Sequence, residues 1–428
     1  MAGEAGKVTV LGTLWPMGGV LTGAMLIAWA TEVLSFFLSR GLAFAVLALL
    51  QVLPEFAVEA VITTEAAINP DNLYLVTANF TGANRLIVGL FLPIVFFMAA
   101  YRARKMGEKI GHIQMPVESS IEVIALITAT LYSFSFVFRG QVTLADSVIL
   151  IGMYAIYLVI IYKLPPTEEG HEDLPLVPRT IRKQPIGRQK MIVALLFILG
   201  GTLLFVSVHP FYTNTIALGL AIGIPAYFLF QWLAPLLSEF PELVTIVYWG
   251  KTGRAQLGLT NAISSKVNQW TLLIAMIPIV YFIGTYNVGR PDWSLNFDDA
   301  QQLEVLLTAA QGMFAAGCFM NLKLHRWEAW TILGLWAIQL IDPLVDPYIY
   351  AQFPNLPYFF EPSSHLANPH PAYLREWITV IYLILTPIVM LAPKERFGAV
   401  HGFIHVWKEH FSKGKVLTDA ERHPSPGH

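Results

Sequence analysis

The sequence predicts an all-α integral membrane protein of about eleven spans, built as two inverted-topology repeats of five transmembrane helices plus one extra C-terminal helix. Three observations lead there: charge is scarce, apolar runs alternate with loops of opposite character, and one sequence pattern occurs twice.

Of the 428 residues, 55% are hydrophobic and only 13% are charged, roughly half the charge of a soluble domain. Mean hydropathy is +0.57. A globular core cannot hide that much apolar surface, whereas a bilayer can solvate it. The formal net charge of −2 gives no ground for a nucleic-acid partner. The one cysteine, Cys318, excludes an internal disulfide framework and reads as a packing residue in an apolar run.

Apolar runs of spanning length lie near 14–37, 41–68, 74–100, 119–137 and 144–162, then 191–208, 214–248, 257–285, 302–321, 327–349 and 372–392. The polar, proline-rich stretch between them divides the chain. Residues 1–162 form a first five-helix repeat, 163–190 a cytoplasmic linker and 191–349 a second, inverted repeat. Residues 350–428 hold an extracytoplasmic loop, the extra helix and a cytoplasmic tail. Basic loops (Arg102 to Lys109, the linker, Lys251 with Arg254, Lys323 with Arg326) all fall on one side of an eleven-span plan. The positive-inside rule makes that side the cytoplasm, with the N-terminus out and the C-terminus in. An odd number of spans per half turns the second half upside down, the plan of many secondary transporters.

The duplicated pattern carries the chemistry. GLAFAVLALLQVLPEFAVEAVIT (41–63) followed by LVTANFTGANRLIVG (75–89) is matched by GIPAYFLFQWLAPLLSEFPELVTIV (223–247) followed by LGLTNAISSKVNQWTLL (257–273). Pro54-Glu55 aligns with Pro241-Glu242, and Asn79 with Asn261. Glutamate and asparagine stand 24 residues apart in the first half and 19 in the second; the loop at 68–73 absorbs the difference. A carboxylate at mid-bilayer costs about 2.5 kcal/mol or more, so two at matched positions point to function. Each proline is expected to kink its helix and free the carbonyl four residues earlier, Leu50 or Leu237. Carbonyls beside a carboxylate suit a hard cation. Gln51 and Ser238, one turn before each glutamate, add side-chain oxygens, as do Asn79, Asn261, Ser265 and Gln269 on the following helices. Glu59, one turn after Glu55, lines or joins the site; Glu239 is expected on another face, where capping or pairing with Lys266 and ligation of the cation are both open.

At these residues the chain resembles the calcium/cation antiporter superfamily, in particular the prokaryotic sodium/calcium exchangers. That family's Gly-Thr-Ser-Leu-Pro-Glu stretch appears here as LLQVLPE and PLLSEFPE. Its Gly-Asn-x-x-Gly-Ser-Asn-x-x-Asn stretch appears as ANFTGANRLI and TNAISSKVNQ. The resemblance covers about 14–349 and implies that Glu55 and Glu242 are the central carboxylates holding the metal ion. It also implies calcium export in exchange for sodium by alternating access; a cation/proton antiporter of the same fold is the alternative. The chain departs from the pattern at Gln51, Ala83 and Ile87, and it carries Arg85 and Lys266 where the family has neutral residues. A fixed ammonium there would itself occupy a cation position.

The expected partners are therefore inorganic cations and the lipid bilayer of a plasma or inner membrane, with no cofactor; self-association into a homo-oligomer stays open. An intramembrane enzyme is disfavoured by the lack of H-E-x-x-H and G-x-S-x-G motifs. A channel is disfavoured by the duplication.

Overall fold

A computed structural model describes residues 10–37, 50, 52–164, 174–362, 371–391 and 397–409. In chain order the first half holds α1 (Val10–Leu34), α2 (Leu53–Ile68), α3 (Leu73–Leu86), α4 (Leu92–Lys105), β1 (His112–Gln114), α5 (Ser120–Arg139), β2 (Gln141–Thr143) and α6 (Leu144–Tyr162). A short α7 (Leu176–Arg182) lies in the linker. The second half holds α8 (Ile186–Ile222), α9 (Ala226–Phe228), α10 (Ala234–Ser238), α11 (Phe240–Thr252), α12 (Ala255–Asn268) and α13 (Ile274–Asn287). It continues with β3 (Ser294–Asn296), α14 (Asp299–Cys318), β4 (Lys323–His325) and α15 (Arg326–Gln352); α16 (Tyr373–Leu391) and α17 (Gly398–Trp407) close the chain.

Eight described helices, or helices running on through a wider turn, are long and apolar enough to cross a membrane; α15, bent by 68° near Pro343, would make nine. One of the expected eleven runs is interrupted among the described residues. In residues 226–252, α9 and α10 run together through a π turn at Leu229–Leu233, and the helix breaks at Glu239 before α11; part of 41–68 lies outside the described residues. The break expected between 208 and 214 is absent. Pro210 sits inside the 37-residue α8, which ends instead at Gly223, a left-handed C-cap at φ 72°.

Local chemistry sets the other ends. Thr143 and Asp146 form a capping box at α6, and Asp298 and Gln301 form another at α14. Between α3 and α4, and again between α12 and α13, the helix widens into a five-residue π turn, at Ile87–Phe91 and Gln269–Leu273.

Two small ribbons stitch the halves together. β1 pairs antiparallel with β4 (Ile113 opposite Leu324), and β2 pairs antiparallel with β3 (Val142 opposite Leu295). Since α5 joins β1 to β2 and α14 joins β3 to β4, these two 20-residue helices run in opposite directions between the same two ribbons. Helix α14 is buried along nearly its whole length, with α3, α5 and α16 around it. Outside this core, α1 packs along α8 through small residues. A Cβ on Gly23 would approach the Gly200 carbonyl to 3.0 Å, and one on Gly19 would strike Ser207.

Candidate functional site

The proline–glutamate pairs do not sit in the middle of kinked continuous helices. Each opens a helix. Pro54 occupies the first turn of α2 behind Val52, and Pro241 the first turn of α11 behind Glu239. A proline lacks an N–H, and first-turn N–H groups have no intrahelical partner, so this position costs no hydrogen bond. Glu55 and Glu242 thereby stand at helix N-termini, where the backbone dipole favours a carboxylate.

The break before α11 also redirects Glu239. An ideal helix would carry it to a different face from Glu242. Here it is the non-helical residue between α10 and α11 (φ −95°, ψ 2°), buried, and in hydrogen-bonding contact with Glu55. Gln269, the first residue of the second π turn, bridges the two. Its Nε2 donates to both Glu55 oxygens at 3.2 and 3.3 Å, and also to Glu239 Oε1. Glu242 accepts from Asn261 Nδ2 at 3.1 Å and from the Ser265 hydroxyl. A cavity of about 30 Å³ lies between these groups. Glu55, Glu239, Glu242, Ser238, Ser265 and Gln269 line it, and α1 closes it with Ala24 and Ala28. The volume suits one dehydrated ion or about one water.

Of the residues singled out in the sequence, Glu55, Glu242, Ser238, Asn261, Ser265 and Gln269 are brought together here. The Ser238 hydroxyl donates to the carbonyls of Ala234 and Pro235, both at 3.2 Å, leaving its lone pairs for the cavity. Gln51 lies outside the described residues. Asn79 does not reach Glu55. Its Nδ2 donates to Glu59 Oε2 at 2.6 Å, Thr63 donates to Glu59 Oε1 at 3.4 Å, and this buried trio lies off the cavity. The equivalent of Glu59 in the second half is Ile246, so Asn261 has only Glu242 to meet.

The two basic residues separate. Lys266 is buried on α12 next to the cavity, donating to the Asn84 carbonyl at 2.8 Å and lying 5.0 Å from the Trp270 ring. Arg85 points away from the cavity to Glu304 at 2.5 Å, with Gln339 at 3.3 Å. Among the described residues, no three His, Cys, Asp or Glu side chains converge as a metal-ligand set. Glu55 and Glu242 therefore need the neutral oxygens around them to complete a shell. A cation could then displace the Gln269 amide from the carboxylates.

The chain thus combines a multi-pass helical fold with a small acidic cavity at the starts of α2 and α11. The profile of the sodium/calcium exchanger protein family matches residues 8–163 and 192–341. The chain is a member of that family, whose substrates are transported cations.

Among solved structures, the crystal structure of the H+/Ca2+ exchanger CAX is 30% identical, with 93% of this chain and 91% of that one covered and a TM-score of 0.78. Native YfkE (14% identical, 78% and 92% covered, TM-score 0.53) and the sodium–calcium exchanger NCX_Mj (16%, 78% and 97%, 0.51) share the fold. No curated protein matches the chain.

Proposed function

We propose that the chain is a secondary active antiporter that carries calcium against protons by alternating access, with one cation held between Glu55 and Glu242. The observation that carries this reading is the cavity itself: a space of single-ion size lined by Glu55 and Glu242 at the starts of two helices, with Glu239 and the neutral oxygens of Ser238, Ser265 and Gln269 beside them. Carboxylates in such contact need their charge offset, and either a divalent cation or protons can do so. That interchange is what an antiporter requires.

Protons are preferred to sodium as the counter-ion for two reasons. The buried Lys266 side chain stands beside the cavity, where the family has a neutral residue, and leaves less room for several sodium ions. The likeness to CAX also extends over nearly the whole chain.

The architecture we propose is two inverted repeats, 1–162 and 191–349, joined by the linker 163–190, with 350–428 adding the extra helix and tail. In it the N-terminus is outside and the C-terminus inside a plasma or inner membrane. Support comes from the matched lengths of α3 and α12, of α4 and α13, and of the π turns between them. The opposed directions of α5 and α14 add to it. The mobile element would be α1 with α8, which contact each other more than the core; α1 closes the cavity over Glu55 through Ala24 and Ala28.

Purified protein in liposomes with an acidic lumen should accumulate labelled calcium. A sodium-loaded lumen without a pH difference should not drive uptake. Uptake driven by sodium and indifferent to pH would reverse the coupling; no uptake under either gradient would end the calcium reading. Full activity in Glu55→Gln or Glu242→Gln would remove the site.

A further inference from the structure

A second buried charge cluster lies away from the cavity. Arg375, on α16, donates to Glu304 Oε1 and to Asp342. The other Glu304 oxygen accepts from Arg85 Nη2 at 2.5 Å and from Gln231 Nε2 at 3.0 Å. Arg85, Glu304 and Asp342 are fully buried, and Arg375 is nearly so. Two guanidiniums face two carboxylates, and these four charges balance; the buried Asp346, one turn from Asp342, accepts from the Leu374 N–H at 3.1 Å. Charged groups inside a membrane protein are rare and ordinarily serve its function.

The positions of these residues suggest what the cluster does. Helix α16 lies outside both segments that match the family profile. Its arginine reaches the central helix α14 at Glu304, and through Glu304 it fixes Arg85 on α3. The residue before Arg85 is Asn84, whose carbonyl accepts the Lys266 ammonium beside the cavity. The Arg85 carbonyl in turn accepts from Gln311 on α14 at 3.4 Å. Helix α3 is thus held on one side by the charge cluster and on the other by Lys266. Close approach reinforces the clasp, because a Cβ on Gly82 of α3 would meet the Gln231 carbonyl oxygen at 1.8 Å.

We propose that Arg375 is a positioning residue for transport: the extra helix supplies the counter-charge that keeps the Glu304–Arg85 pair intact, and this pair sets α3 and the Lys266 ammonium against the cation cavity. The inference rests on the antiport reading. Wild-type flux establishes that reading first, so a loss confined to the variants belongs to the clasp alone.

The test compares Arg375→Gln, Arg375→Lys and the double variant Arg375→Gln/Asp342→Asn for calcium flux in liposomes and thermal stability in detergent. Arg375→Gln leaves the cluster one negative charge in excess, and flux should fall at least tenfold. The double variant restores neutrality while sparing Glu304–Arg85, and its flux should return to within about threefold of wild type. Arg375→Lys keeps the charge and should fall between them. A purely structural anchor would not be rescued by removing a further polar contact. Wild-type flux in Arg375→Gln, or a folded double variant no better than the single one, overturns the proposal. If Arg375→Gln does not fold, Glu304→Gln takes its place, and wild-type flux there overturns it equally. Failure of both to fold would reduce the cluster to a stability element and overturn it as well.

Discussion

Replacing Glu239 by glutamine tests the cavity where it departs most from the sequence pattern. The carboxylate lines the cavity, touches Glu55 and accepts from Gln269. Glutamine keeps the shape and removes one negative charge. At ~4 Å and an effective dielectric of about 20, a carboxylate and a unit positive charge attract by about 4 kcal/mol. Desolvation of the ion offsets part of this, leaving about 2 kcal/mol, at the low end for losing one member of a buried charge pair. Since 1.4 kcal/mol is tenfold, half-saturating calcium should rise about 30-fold. The assay is initial calcium uptake against a fixed proton gradient over a range of calcium concentrations. A half-saturating concentration within about threefold of wild type, at unchanged maximal rate, would remove Glu239 from the cation site.

Three further outcomes follow from the same geometry. Asn261→Ala deprives Glu242 of its amide donor, while Asn79→Ala deprives only Glu59. The first should weaken calcium half-saturation by about fivefold, near 1 kcal/mol, and clearly more than the second; the reverse order would contradict the placement of Asn79. Lys266→Met removes the built-in ammonium, and sodium should begin to inhibit calcium uptake; inhibition equal to that of wild type would show that Lys266 fills no cation position. Gly82→Ala places a methyl against backbone that cannot step aside, at a cost of about 1–3 kcal/mol. Its melting temperature in detergent should fall by several degrees, and an unchanged value would mean that α3 and the chain at Gln231 are not so closely packed.

The membrane class and the core of the candidate site were legible because both rest on local signals. Scarce charge and long apolar runs read directly as spans. A glutamate behind a proline in such a run stands out, more so when it occurs twice. Helical spacing leaves Glu239 between capping, pairing and ligation because it assumes an unbroken helix, and the chain breaks at that residue. The cue was present: a proline two residues on restricts Phe240 and permits a helix start there.

Repeat equivalence places Asn79 with Glu55, whereas the structure pairs its amide with Glu59. The repeat matches it to Asn261, but only the first half has Glu59 within its reach. The Arg85–Glu304–Arg375 cluster joins residues 71 and 219 positions apart, and no periodicity or motif reports such a contact. The merging of 191–208 with the start of the next run into α8 has a similar cause. Pro210 reads as a breaker locally, yet the apolar length of the helix and its packing on α1 carry it through.

The central claim, one cation held between Glu55 and Glu242 at the starts of α2 and α11, is tested most directly by locating the ion. Anomalous diffraction from crystals grown with calcium or strontium should give a peak in the cavity, with oxygens of Glu55 and Glu242 about 2.3–2.6 Å from calcium and the Gln269 amide displaced from the carboxylates. A peak at Glu304 and Asp342 instead, or an undisturbed Glu55–Gln269–Glu239 bridge at saturating calcium, would contradict it.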